Sequence, residues 1–326
     1  MYNVALIGAG KIGLLYDAQQ SRKTALSHAK GIYLHKNFKL KYLVDKNKQL
    51  FPKARKLFPK LQCFRDWQPL INNRDIDILA IALPTQLHFD CLNDFAPNKR
   101  IKLFFVEKPL FAAGAEYQGI DPGVKKKIVV NYIRRFDPVI IALKDKIKKG
   151  VYRRPLKIIA KYSKGFQHNA SHAVDLVNYL FGNPKVIESM VLDKKNDGIK
   201  DDPALDVFAR VKSQGATFPV YFIAGEEKKY SIFELDILFE NKRIELVDLA
   251  RTIKTYDLVA DPEYAGYKIL GVDAEVQNTD MRFVMRNAYS ILGSIINKRM
   301  KNISSFQDEM HNSNFINSVQ NELNYV

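Results

Sequence analysis

The sequence predicts a two-domain chain: an α/β domain with a doubly wound parallel sheet, followed by an α+β domain built on a large open, mainly antiparallel sheet. Three observations point there. At 326 residues the chain exceeds one comfortable hydrophobic core. Its first 132 residues alternate short apolar runs with amphipathic stretches. Beyond residue 150 apolar runs follow one another with turns between them and few helices, as in antiparallel sheets. The expected domains are 1–132 and 133–326.

In the first domain "NVALIG", "LKYLVD", "LQCF", "DIDILAIAL", "IKLFFVE" and "KKIVVNY" are near-continuous apolar runs, the mark of strands buried on both faces. Between them "SHAKGIYLHK", "KNKQLFPKARKLF" and "TQLHFDCLNDFA" have helical character. A helix over 138–149 follows, with Asp137 as N-cap, Pro138 at its first position and Gly150 past its end. "LKIIAKYS", "KVIESMVLD", "LDVFARVK", "FPVYFIAG", "YSIFELDILFE" and "RIELVDL" read as strands of the second sheet. Within that domain "HNASHAVDLVNYLFG" reads as a helix capped by Asn169 and stopped by Gly182, and the last 45 residues return to helix.

Composition narrows the function. Hydrophobic residues at 47% and charged residues at 26% are ordinary for a soluble globular protein. No apolar run reaches 18 residues, and the opening "VALIGAG" is too short and glycine-rich for a signal peptide, so a cytoplasmic protein without membrane partners is expected. Cys63 and Cys91, far apart and in no CxxC pair, offer neither a disulfide framework nor a sulfur metal cage. The formal charge of +16 comes from lysines scattered along nearly every segment, with no helix-turn-helix, zinc-finger or aromatic-basic signature. An anionic small substrate is a milder use of that excess, and nucleic acid is not expected.

After the first strand comes "GAGKIG", in which Gly8, Gly10 and Gly13 match GxGxxG in the strand-to-helix setting that gives the motif meaning. Glycines there let backbone amides, with Lys11 and Ile12 between them, approach a pyrophosphate. Asp45 closes the second strand, where an acid accepts hydrogen bonds from the adenosine ribose hydroxyls and repels a 2′-phosphate. NAD is therefore expected in preference to NADP, the other role open to Asp45 being a helix N-cap. Asp45 lies 32 positions after Gly13, where about 20 is usual. The surplus, residues 14–27, is either a surface loop or a flap bringing Tyr16, Arg22 and Lys23 to a ligand.

A second motif ends the strand "IKLFFVEKPL" with Glu107, Lys108 and Pro109. Pro109 stops the ladder, so Lys108 is held at the same carboxyl edge as the glycine turn. There a partly desolvated lysine beside the positive ring of oxidised nicotinamide is suited to proton transfer. GxGxxG, the strand-closing Asp, "IALPTQLH" with Pro84, Thr85 and His88, "EKP", "NYIRRFDP" and "SHAVDLVNYLFG" occur in the order seen in the Gfo/Idh/MocA oxidoreductases, which the chain resembles over nearly its whole length.

The resemblance implies an N-terminal Rossmann domain, a second domain that binds substrate and oligomerises as a homodimer or homotetramer through its sheet, and NAD(P)-dependent hydride transfer at a carbohydrate hydroxyl or carbonyl. It implies that Lys108 is the family's EKP lysine and His172 its catalytic-region histidine, and that Pro84, Thr85, His88, Glu107 and Asn131 border the cofactor. Asn131 and Arg134 are implied to lie on the strand flanking the site. The family commonly has Asp four residues before the histidine, where this chain has His168, so a lysine, aspartate and histidine triad is not carried over. The resemblance leans toward sugars or nucleotide sugars of surface-polysaccharide metabolism. The alternative is a non-catalytic NAD-binding sensor on the same fold.

His168, Asn169, His172 and Asp175 are the candidate substrate-side residues, with Arg134. With Asn169 as cap, His168 precedes the helix and His172 falls in its first turn. A zinc site would need further ligands, and neither HExxH nor cysteine supplies them, so no metal is expected. A histidine at a helix N-terminus is disfavoured in its charged form and can exchange a proton with a substrate hydroxyl, with Asp175 to orient it. Lys108 and His172 are both candidates for proton transfer, and the sequence does not rank them.

Overall fold

Parallel strands dominate the first half of the structure, a computed structural model that describes residues 1–17, 24–111, 119–213 and 215–322. In chain order they are β1 (Tyr2–Ile7), β2 (Phe38–Val44), β3 (Gln62–Phe64), β4 (Ile78–Ile81), β5 (Leu103–Val106) and β6 (Ile128–Val130). Helices α1 (His28–Tyr33), α2 (Phe51–Leu57), α3 (His88–Asp94) and α4 (Pro122–Lys125) lie between them in sequence. The sheet order is β3-β2-β1-β4-β5-β6, with every neighbouring pair parallel. Every residue of β4, β5 and β6 is buried, which is why those segments read as unbroken apolar runs. The strand order reverses between β1 and β4, and a doubly wound sheet opens its ligand crevice at such a point.

Two compact units divide the chain, the first comprising Met1–Asp137 and Arg282–Glu309. Its late segment supplies a further helix, which packs on α1 where Gly31 removes the obstacle: a Cβ there would lie 2.7 Å from the Met285 carbonyl oxygen. Ser304 covers the outer edge of β6, accepting from Val130 N–H and donating its hydroxyl to the Val130 carbonyl at 2.7 Å. Strand β6 ends at Val130, so Asn131 follows the strand instead of lying on it. Ile133–Phe136, including Arg134, form a 3₁₀ turn. The backbone folds back here because Tyr132 N–H bonds Val130 and Arg135 N–H bonds Tyr132.

The second unit comprises Pro138–Met281 and the chain from Met310 on. It holds α5 (Pro138–Lys148), β7 (Pro155–Tyr162), α6 (Ser171–Phe181), β8 (Lys185–Lys195), β9 (Ala204–Ser213), β10 (Ala216–Ala224), β11 (Phe233–Phe239), β12 (Lys242–Val247), β13 (Thr252–Ala260), β14 (Lys268–Leu270) and β15 (Glu275–Asn278). The late helices of the chain are α7 (Val284–Ile296), in the first unit, and α8 (Phe306–Glu322). The sheet order is β14-β13-β12-β11-β7-β10-β9-β8, with β15 also on β13. Its pairs are antiparallel except β10 with β7. Strict alternation of buried and half-buried residues along β11 marks one covered and one open face. Phe181 of α6 packs at a tilt against Phe218 and stacks on Phe239 of the covered face, with ring centroids 5.3 and 6.3 Å away. Both fold classes predicted from the sequence are present. Among the described residues no helix is long and apolar enough to cross a membrane.

Candidate functional site

The three glycines after β1 do different jobs. Gly8 has φ +102°, and a Cβ on it would lie 2.4 Å from the Ala82 carbonyl oxygen at the end of β4. A Cβ on Gly13 would lie 2.2 Å from the Gly8 carbonyl oxygen, so this glycine lets the turn close on itself. At Gly10 a Cβ would meet nothing within 4 Å, which leaves backbone open to an approaching pyrophosphate. Lys11 is exposed and Ile12 half-buried in the same turn.

Asp45 belongs to this cradle. Its Oδ2 accepts from the Ala9 N–H at 2.7 Å and its Oδ1 from the Asn47 N–H at 2.8 Å. The cap of the following turn is Asn47, whose side chain accepts from Gln49 N–H. Asp45 is thus no helix cap, and its half-buried carboxylate is fastened to the glycine turn.

The long spacing between Gly13 and Asp45 has a structural origin. Leu14 N–H bonds Gly10 as in a helix, yet α1 begins only at His28. Across the gap, His28 N–H bonds the Ile12 carbonyl at 2.9 Å and Ala29 N–H bonds Gly13 at 3.0 Å. His28 lies sixteen positions after Ile12, of which a helical turn accounts for four, so twelve residues are inserted into one helix. Without them the spacing returns to about 20. Asp17 clamps the insertion's base: its Oδ2 accepts from Leu26 N–H, Ser27 N–H and the Ser27 hydroxyl at 2.9, 2.6 and 2.7 Å. Tyr16 is exposed, while Arg22 and Lys23 lie outside the described residues.

At the carboxyl end of β5, Lys108 is half-buried and joined to Pro109 by a cis peptide bond. Its neighbours are tied down on both sides. Glu107 Oε1 accepts from Asn131 Nδ2 at 2.6 Å and lies 3.0 Å from His28 Nε2. His28 Nδ1 lies 3.0 Å from the Tyr289 hydroxyl. A carboxylate only accepts, so His28 Nε2 donates to it, and Nδ1 shares a hydrogen bond with the tyrosine hydroxyl. Complete burial, with the Glu107 charge second, raises the Tyr289 pKa well above its usual range and keeps its proton in place. On the other side, Leu110 N–H donates to buried Glu309 at 3.1 Å, and its carbonyl lies 3.0 Å from His88 Nδ1. His88 Nε2 lies 2.9 Å from the Leu83 carbonyl, so this fully buried ring joins the loops after β4 and β5. Burial pulls its pKa down, against smaller opposing contributions from those carbonyls.

Pro84 and Thr85 open a 3₁₀ turn at the end of β4. Gly8 to Gly13, Asp45, Pro84, Thr85, Glu107, Lys108 and Asn131 all follow the carboxyl ends of strands of one sheet. Asn131 is fully buried, and its Oδ1 has no hydrogen-bond partner among the described residues. An open backbone at Gly10, an acid closing β2 and this orphaned acceptor fit a dinucleotide laid across the strand ends. His28, Tyr289 and Glu309 were not read from the sequence.

In the second unit the helix around His172 starts earlier than its sequence suggests. A π-helical turn, Phe166–Ala170, runs into α6, and the residue before α6 makes no side-chain cap. Asn169 Nδ2 instead donates to the Ser163 carbonyl at 2.6 Å. The capping carboxylate is that of Asp202, which accepts from Gln167 and His168 N–H, each at 2.8 Å. His168 and His172 consequently fall one turn apart on a continuous helical stretch. His168 is exposed and His172 half-buried, with its ring edge-on to Phe233 at 6.5 Å. Asp175 is buried and accepts from Asn312 Nδ2 of α8 at 2.8 Å. Buried Arg134 belongs to the first unit. Among the described residues no three His, Cys, Asp or Glu side chains cluster as metal ligands would.

A glycine cradle at a topological switch point with an acid closing β2 defines a dinucleotide-binding domain. Residues 2–132 match the model of the Gfo/Idh/MocA oxidoreductase family, described as having an NAD-binding Rossmann fold. Inositol 2-dehydrogenase of Salmonella typhimurium is 28% identical over 112 residues, 33% of this chain and 31% of that protein. Levoglucosan dehydrogenase of Pseudarthrobacter phenanthrenivorans is 25% identical over 215 residues, 58% of this chain and 53% of that one. The chain thus matches about a third and about half the length of these relatives. In fold, levoglucosan dehydrogenase solved with NADH and levoglucosan superposes with a TM-score of 0.73 at 17% identity, covering 98% of this chain and 96% of the other. Gal80p of Saccharomyces cerevisiae, as a super-repressor mutant, has a TM-score of 0.75 at 16% identity, covering 98% and 95%.

Proposed function

We propose that the chain is an NAD-dependent oxidoreductase acting on a carbohydrate or polyol, with a sugar or nucleotide sugar of surface-polysaccharide metabolism as the narrower expectation. The observation that carries the proposal is the bond from the Asp45 carboxylate to the glycine turn beside open Gly10. Similarity to inositol and levoglucosan dehydrogenases supports the substrate class. Asp45 supports NAD over NADP, because a 2′-phosphate about 4 Å away would be repelled by about 4 kcal/mol at an effective dielectric near 20.

When bound, the nicotinamide supplies the hydride acceptor or donor. The protein has to hold the reacting carbon beside it and provide a base within about 3 Å of the hydroxyl whose proton leaves. Lys108 and His172 are assigned that proton, with His168, Asn169, Asp175 and Arg134 on the substrate side. Glu107 fixes the backbone from which Lys108 projects, through its bonds to Asn131 and His28. Self-association through the open sheet face, where Phe208 and Tyr221 pack with ring centroids 5.3 Å apart, belongs to the same proposal.

The test is Lys108→Met assayed with NAD and a panel of sugars, polyols and nucleotide sugars. NADH binding, read by fluorescence titration, stays near wild type while turnover disappears. Turnover at the wild-type rate removes Lys108 from the chemistry. Binding of NADH by the unaltered protein with no turnover on any member of the panel favours the non-catalytic sensor instead.

A further inference from the structure

Strand β13 outruns its neighbour. Its pairing with β12 stops at Asp257, opposite Lys242, and beyond that point only β14 continues beside it, through Leu258 with Leu270 and Val259 with Ile269. The result is a two-stranded ribbon with free edges and apolar side chains on both faces. Such a ribbon is marginal alone in water, and its edges invite pairing. It is nevertheless a built element. Asp261 Oδ1 accepts from Glu263 and Tyr264 N–H at 2.8 and 3.0 Å, and Gly271 N–H returns to the Asp257 carbonyl at 2.8 Å. Its tip displays Tyr264 and Tyr267 at 64% and 70% exposure, and Val272, at 92%, lies exposed at its root. Exposed apolar surface of this extent marks an interaction site.

Charge identifies the occupant. Residues 257–275 hold five carboxylates and one lysine, a net charge of −4 in a chain of +16. Residues 146–156, the end of α5 and the loop after it, hold five cations and no carboxylate, with Val151 and Leu156 exposed between them. The two regions are neighbours within the second unit: a cavity of about 180 Å³ at the ribbon's root is lined by Lys146, Val151 and Tyr152 on one side and Lys242, Ile253 and Glu275 on the other. An acidic apolar arm beside a basic apolar corner is self-complementary under a two-fold axis, which sets each arm on the other copy's corner.

We propose that the 257–275 arm docks on a second copy of this chain, against the 146–156 corner. The test is sedimentation velocity of the full chain at low and high salt, with charge swaps. The wild type sediments as a dimer that weakens as salt rises. Glu263→Lys with Asp273→Lys, and separately Lys149→Glu with Arg153→Glu, each raise the dimer dissociation constant by about tenfold or more, and the two sets combined restore it. Circular dichroism confirms that the swapped chains are folded. A monomeric wild type, dimers indifferent to either swap, or a combined variant that stays dissociated overturns the proposal. Phe208→Asp on the open face separates the alternatives: a dimer lost there and untouched by the arm swaps belongs to the open face alone.

Discussion

His28 Nε2 lies 3.0 Å from Glu107 Oε1, with both side chains held inside the first unit and Glu107 one residue before Lys108. The pair joins the helix after the glycine turn to the end of β5. Removing either partner leaves a buried group without its bond, at about 1–3 kcal/mol, and truncating the ring adds a cavity. His28→Ala is expected to lower the unfolding free energy by about 2–4 kcal/mol and Glu107→Gln by about 1–3 kcal/mol. A double-mutant cycle read by denaturant unfolding gives a coupling of about 0.5–3 kcal/mol. Strict additivity would show that the two side chains do not act as a unit.

Deleting residues 16–27 is expected to leave the fold intact. The deletion brings His28 four positions after Ile12, so the bond already made between them becomes an ordinary helical one. The Asp17 clamp leaves together with the segment it closes. The deletion also removes buried Ala25, whose N–H bonds the Arg282 carbonyl and whose carbonyl accepts from Met285 N–H, so the melting temperature should fall by about 3–10 °C, the shift that about 1–3 kcal/mol produces. NADH affinity should be unchanged if the segment is a surface loop. A folded protein with lost affinity would make it a flap.

That insertion also marks the limit of what the sequence discloses. The parallel sheet was legible because β4, β5 and β6 are buried on both faces, and the cradle because Gly8, Gly10 and Gly13 each answer a local steric demand. His28 was not legible as a partner of Glu107, since twelve inserted residues separate it from the glycine turn and nothing in its own neighbourhood points to β5. Asp202 likewise caps His168 from 34 positions away, whereas Asn169 only looked like the cap because it is the nearest residue of the right type. Local chemistry is written in local sequence, and a partner brought in by the fold is not.

Asp45→Ala is expected to raise the affinity for NADP relative to NAD by about tenfold or more, since the repulsion removed is on the order of 4 kcal/mol at its upper bound. It also strips the Ala9 N–H of its acceptor, so NAD itself should bind more weakly. Titration of both reduced cofactors by fluorescence checks the ratio. An unchanged ratio would mean that the carboxylate serves only to hold the turn.

His88 ties cofactor-side loops together and gives the fold a pH dependence. Its pKa is lowered in the folded protein, chiefly because burial penalises the charged ring. Below about pH 6.5 the unfolded chain takes up a proton that the folded chain refuses, so this contribution is complete above that pH and lost as pH falls toward the folded pKa. The slope from one such group is at most about 1.4 kcal/mol per pH unit. Unfolding free energies measured between about pH 7.5 and 5.5 should therefore fall on acidification, and less steeply in His88→Gln, which keeps a donor for the Leu83 or Leu110 carbonyl and cannot titrate. Parallel curves for the two proteins would place the pH dependence elsewhere.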